Sequence, residues 1–104
     1  MPMNNCIKVL KKEPDKAPEL ITIDASLSSM QDIVGGYIQV LPVPRCKAIL
    51  VCNEEGHILD LPHNITLMGR NIVGTIFFCC TGKDDLVALT ASAEKEIRQL
   101  LMVC

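Results

Sequence analysis

Apolar and polar positions change their repeat several times along this chain, and each change marks an element. From Cys6 to Lys12, Ile7 and Val9 alternate with Lys8, the two-residue period of a strand. Pro14 and Pro18 follow in a polar connection, where neither can donate to a ladder. Glu19 to Asp24 resumes the alternation, with Ile21 and Ile23 on one face and Leu20 and Thr22 on the other. These two segments are expected to pair as an antiparallel hairpin. Leu27, Met30, Ile33 and Val34 then recur at steps of three and four, predicting a helix over 27–34 with Ser26 as its N-cap. At about two turns it needs a sheet beneath it to persist. Gly35-Gly36 ends it, because glycine takes the left-handed conformation that other residues resist. Tyr37, the single tyrosine, opens a strand that runs to Leu41.

Beyond the break at Pro42-Val43-Pro44-Arg45, Lys47 to Cys52 is apolar at almost every position, which predicts a strand covered on both faces. Asn53-Glu54-Glu55-Gly56 reads as a hairpin turn, with His57 to Leu61 as the returning strand. Pro62 ends that strand, and residues 62–71 read as an irregular excursion. Ile72 to Cys80 is a buried strand interrupted at Gly74. Thr81 to Asp84 forms a turn, and Asp85 to Leu89 pairs back as a short edge strand. Thr90 caps a second helix over 91–103, with Ala93, Ile97, Leu100, Leu101 and Cys104 on its apolar face. The expected fold is α+β: one domain over 1–104, a mostly antiparallel sheet of about six short strands, and two helices (27–34 and 91–103) on one sheet face.

Composition narrows this picture. Hydrophobic residues make up 49% of the 104, yet only one Tyr and two Phe are aromatic, so aliphatic, Met and Cys side chains must fill the core. A net charge of −2 gives no basic surplus for phosphate backbones, and a dedicated nucleic-acid binder is not expected. No apolar run approaches the ~20 residues of a membrane helix, and the first residues lack the apolar core of a signal peptide. A cytosolic protein without membrane contact is expected. The six cysteines, at 6, 46, 52, 79, 80 and 104, form no C-x-x-C unit and read as reduced, small hydrophobes.

Conventional chemistry finds little to use. Cys46, Cys52, His57 and His63 stand in the order of zinc ligands, but Cys46 and Cys52 lie about 20 Å apart along an extended strand at ~3.3 Å per residue. No metal site is expected, although Cys52 and His57 flank one tight turn. Cys79 and Cys80 point to opposite faces of a strand and have no adjacent base, so core filler outweighs a redox pair. Gly69 to Thr75 resembles part of a phosphate loop but lacks the lysine and leads into a strand. As a glycine-flanked loop carrying Arg70 and Asn71, it suits an anion or partner contact, weighed against a plain solvated loop. Only His57 and His63 could act as conventional bases, and no nucleophile elbow or carboxylate pair accompanies them. Neither an enzyme nor a cofactor is expected.

Ile7-Lys8-Val9-Leu10, Gly35-Gly36-Tyr37-Ile38, Cys52-Asn53-Glu54-Glu55-Gly56, Leu61-Pro62-His63-Asn64 and Ile72-Val73-Gly74-Thr75 resemble a family of small phage, plasmid and prophage proteins known as a domain of unknown function. The resemblance covers most of residues 6–101. The Gly-Gly-Tyr-Ile step, the Asn-Glu-Glu-Gly turn and the Leu-Pro-x-Asn segment are its most specific parts, and none is catalytic. It implies a mobile-element protein acting in a bacterial host cytosol. Such proteins often act by binding host proteins or nucleotide immune signals. The leading expectation is a non-catalytic, counter-defence binding module for a nucleotide-derived signal, with Tyr37, His63, Asn64, Arg70, Asn71 and Thr75 as ligand contacts. It is expected to work as a homo-oligomer built on the C-terminal helix. Tyr37 is either a stacking surface for a planar ligand or simply the anchor of its strand. The alternative is a module that binds a host or phage protein through a strand edge or the last helix.

Overall fold

The computed structural model describes residues 6–43, 47–81 and 86–102. In chain order it contains β1 (Cys6–Lys12), β2 (Glu19–Asp24), α1 (Leu27–Val34), β3 (Ile38–Pro42), β4 (Ala48–Asn53), β5 (His63–Leu67), β6 (Arg70–Val73), β7 (Ile76–Thr81), β8 (Leu86–Val87) and α2 (Ala91–Leu101). The fold is α+β. The main sheet runs β2-β1-β7-β4-β3, every pair antiparallel, with β8 against the end of β7; β5 and β6 form a separate two-stranded ribbon. β1 meets β7 only from Leu10 to Lys12. Past that point β8 takes its place along β7, and Leu89 N–H donates to Lys8 O at 2.8 Å.

Strand period decides what each face buries. Val9, Val51, Phe77 and Cys79 pack with Met30 and Val34 of α1 on one side of the sheet. Leu10, Leu50, Phe78 and Cys80 pack on the other side with Ala93 and Ile97 of α2 and with Ile65, Leu67 and Ile72 of the β5–β6 ribbon. The expectation of both helices on one face is therefore corrected. A central strand apolar at every position has two faces to cover, and one helix serves each. Burial of each Val, Leu, Ile, Phe or Met side chain among these is worth roughly 1.5–3 kcal/mol.

The Gly35-Gly36 step behaves as its residues require. Ser26 Oγ accepts Ser29 N–H at 3.1 Å to start α1, and Gly35 at φ 82° closes it, its N–H bonding Gln31 O at 2.8 Å. At Gly36 space is the constraint: an added Cβ would lie 2.9 Å from Asn53 Nδ2. That amide donates to Val34 O at 3.1 Å, while Asn53 Oδ1 accepts Glu55 N–H at 2.7 Å. Asn53 thus ties the helix end to the turn after β4. Thr90 Oγ1 caps α2 by accepting Ala93 N–H at 3.1 Å. The helix extends to Leu101; residue 103 of its expected range and Cys104 of its expected apolar face lie outside the described residues, as do 44–46 and most of the expected turn at 81–84.

Two further expectations are corrected. His57 to Leu61 is not a strand: residues 54–60 are turns, with Leu59 N–H bonding Glu55 O at 2.9 Å and Leu61 N–H bonding Gly56 O at 3.0 Å. β4 already pairs with β3 and β7, so neither of its edges is left for a returning strand. Residues 62–71 are not irregular either, since β5 and the start of β6 lie there. The tight turn between them places Met68 at φ 50° and Gly69 at φ 78°, the left-handed pair that matches ribbon twist. The interruption expected at Gly74 is present, at φ 76°, where the chain leaves the ribbon and enters β7.

Candidate functional site

Gln39 on β3 stands opposite Cys52 on β4, and Cys52 faces the side of the sheet that the β5–β6 ribbon covers. The ribbon does not close over the sheet edge. It leaves a cleft of about 310 Å³ lined by Gln39, Leu41, Cys52, Asn53, Glu54, His57, Arg70, Asn71, Ile72 and Val73. Leu41, Ile72 and Val73 give it an apolar floor, and β6 supplies its cation and an amide. The turns of 54–60, which the expected hairpin would have removed, bring in Glu54 and His57.

The polar groups are held in place. His57 Nε2 lies 2.9 Å from Asn71 O; a carbonyl only accepts, so this ring nitrogen carries the proton. Asn71 Oδ1 meets His63 Nδ1, so one residue anchors both histidines of the chain. Cys52 is 5% exposed, and its Sγ lies 4.0 Å from Gln39 Oε1. Burial pushes the Cys52 thiol up, against a smaller opposing pull from the positive charge of Arg70. It therefore stays protonated at neutral pH and makes a poor nucleophile. Arg70 is exposed and joins no ion pair among the described residues.

The six residues expected to contact ligand do not form one cluster. Arg70 and Asn71 line the cleft, and His63 supports it through Asn71. Tyr37, 66% exposed, borders a different and more open hollow with Gln31, Asp32, Gly35, Gly36, Glu55 and Leu59. Asn64 sits where the β5–β6 register shifts. There its Nδ2 donates to Lys12 O at 2.8 Å and Gly74 O at 2.7 Å, and its Oδ1 accepts Lys12 Nζ at 3.1 Å. With these bonds made it serves as a latch between β1 and the kink at Gly74. Thr75 is half-buried between β6 and β7 and does not line the cleft.

Gln39 carries no sequence signal of its own, Glu54 reads from sequence only as a solvated turn residue, and Cys52 and His57 stand out only as metal or catalytic candidates. Strand period does place Gln39, Leu41 and Cys52 on one face. That the ribbon would stop short of them has no local signal. Among the described residues no three His, Cys, Asp or Glu side chains gather as a metal site; Cys46 lies outside that set.

A comparison with protein families matches residues 7–102 to the family described as a domain of unknown function, DUF3846. No curated protein and no solved structure gives a match. The matched span runs from β1 through α2 and includes every residue of the cleft. This chain belongs to the DUF3846 family.

Proposed function

We propose that this protein is a non-catalytic binding module that takes a small organic anion in the cleft beside Arg70. A nucleotide-derived immune signal of a bacterial host is the ligand class, and sequestration is the activity. The observation that carries the reading is the Arg70 guanidinium, without an ion-pair partner among the described residues, at a cleft that also offers Gln39, Asn71 and His57. A guanidinium so placed suits planar, bidentate recognition of phosphate or carboxylate. The volume is at the lower end of the range for ligand sites, about 300–1,000 Å³. A protonated Cys52 thiol and a His57 Nε2 whose proton is already committed to Asn71 O favour holding a ligand over transforming it. The mobile-element context rests on the resemblance of the Gly-Gly-Tyr-Ile, Asn-Glu-Glu-Gly and Leu-Pro-x-Asn segments.

Calorimetry against cyclic nucleotides and cyclic ADP-ribose variants tests the reading. Wild-type protein is expected to bind at least one and to return it chemically unchanged. Arg70→Gln should weaken that binding by roughly 10–100-fold, the worth of a hydrogen bond to a charged group. Folded wild-type protein that binds none of them removes the sequestration reading.

A second reading, capture of a host or phage protein, draws on a different surface. β3 is an edge strand with Val40 45% exposed, and Ile58 and Leu59 in the turns after β4 are 81% and 54% exposed. A stoichiometric protein partner retained by Arg70→Gln would favour it.

A further inference from the structure

The cleft does not end at Arg70. On the other side of the same side chain lies a second hollow of about 190 Å³, lined by Leu41, Pro42, Leu67, Met68 and Arg70. The two share Leu41 and Arg70. Their chemistry differs: one holds Gln39, Glu54, His57 and Asn71, whereas among the described residues lining the other all but Arg70 are apolar. Building on the proposed function, we infer that they are two halves of one site, for a phosphodiester that joins a flat apolar group to a hydroxyl-rich one.

The order of the groups follows from charge. The Glu54 carboxylate lines the polar half and repels an anion placed deep within it, while accepting hydrogen bonds from hydroxyls. The anionic group therefore sits at the junction, on Arg70. A ligand part rich in hydroxyls, such as a ribose, fills the polar half beyond it. On the apolar side, the Leu41, Pro42, Leu67 and Met68 shelf suits the face of a planar ring. A terminal phosphate does not meet this arrangement as well as a bridging one, because among the described residues the polar half offers no second Lys or Arg for its additional charge.

Met68 supplies an independent observation. It occupies the first left-handed position of the ribbon turn, at φ 50°, where Asn, Asp or Gly is favoured, and its side chain is 72% exposed. Neither the turn nor the core accounts for a methionine there. An unbranched, polarizable side chain at the rim of an apolar shelf is suited to adapting to a ring laid against it.

The test compares the dinucleoside monophosphate ApA with AMP, by calorimetry on wild-type, Met68→Asn and Arg70→Gln proteins, with a melting curve of each. ApA should bind wild-type protein at least tenfold more tightly than AMP. Met68→Asn should relieve the turn and melt higher than wild type, yet lose at least fivefold in ApA affinity while AMP changes by less than twofold. Arg70→Gln should weaken both probes. Equal affinity for the two probes, or ApA binding indifferent to Met68→Asn, overturns the two-part site and leaves the Arg70 cleft standing. Failure of folded wild-type protein to bind either probe overturns this inference; the proposed function itself falls only if the cyclic ligands fail as well.

Discussion

Three asparagines show how far a residue's surroundings, and not its type, decide its work. Asn53 is buried and joins α1 to the turn after β4; Asn64 latches β1 to the kink at Gly74; Asn71 pins two histidines at the cleft. Asn64→Ala leaves the Lys12 and Gly74 carbonyls without their donor and should cost about 1–3 kcal/mol of stability. The Arg70 side chain makes no hydrogen bond or ion pair among the described residues, so Arg70→Gln should leave the denaturation midpoint nearly unchanged. Chemical denaturation of the two variants checks this contrast, and equal losses would contradict it. Cys79 carries a pH signature of its own. It is fully buried, and burial first, then the neighbouring Cys80, push its thiol up to about 12 from an ordinary 9.0. The unfolded chain releases this proton as pH passes 9.0 while the folded chain keeps it. The thiol's contribution is therefore complete below 9.0 and is lost as pH rises toward about 12, at up to about 1.4 kcal/mol per pH unit. Denaturation of wild-type and Cys79→Ala proteins between about pH 8 and pH 10.5 should show the steeper decline in wild type. Parallel declines would contradict the assignment.

At the scale of elements, the sequence was legible wherever one signal was enough. Ser26 and Gly35 bound α1 at 27–34 as their capping chemistry requires, and Thr90 starts α2. The alternation in β1 and β2 and the unbroken apolar run of β4 reported strands directly. Legibility failed where pairing partners decide the outcome. Asn53-Glu54-Glu55-Gly56 carries the residues of a hairpin turn, but β4 already has β3 and β7 along its edges, so 54–61 folds onto its own turn hydrogen bonds. The ribbon was hidden for the opposite reason. Met68 is a poor left-handed residue, and Pro62 and His63 looked like the start of a loop. The candidate site inherits both failures, because its cation comes from the ribbon and its histidine from the turns. Hydrogen exchange should order the elements accordingly, with amides of β4 and β7 slowest and those of 54–61 among the fastest. Slow exchange across 57–61 would instead favour a strand there.

On the scale of the whole molecule, a sheet with two apolar faces is covered by α1 on one side and by α2 with the ribbon on the other. No helix among the described residues is long and apolar enough to cross a membrane. Ala93, Ile97, Leu100 and Leu101 of α2, the stripe expected to support an oligomer, pack against the chain's own core. The ribbon covers its face incompletely, and the gap it leaves at the β3 edge is the cleft. The proposed binding site is the end of the sheet where Gln39, His57, Arg70 and Asn71 converge, and Tyr37 borders a separate hollow. Amide chemical-shift mapping of isotopically labelled protein during a titration with the ApA probe tests that placement most directly. Shifts should gather at Gln39, Cys52, His57, Arg70 and Asn71 and extend to Leu67 and Met68, leaving Tyr37 and α1 unmoved. Shifts centred on Tyr37, Glu55 and Leu59, or no shifts at all, would contradict the account.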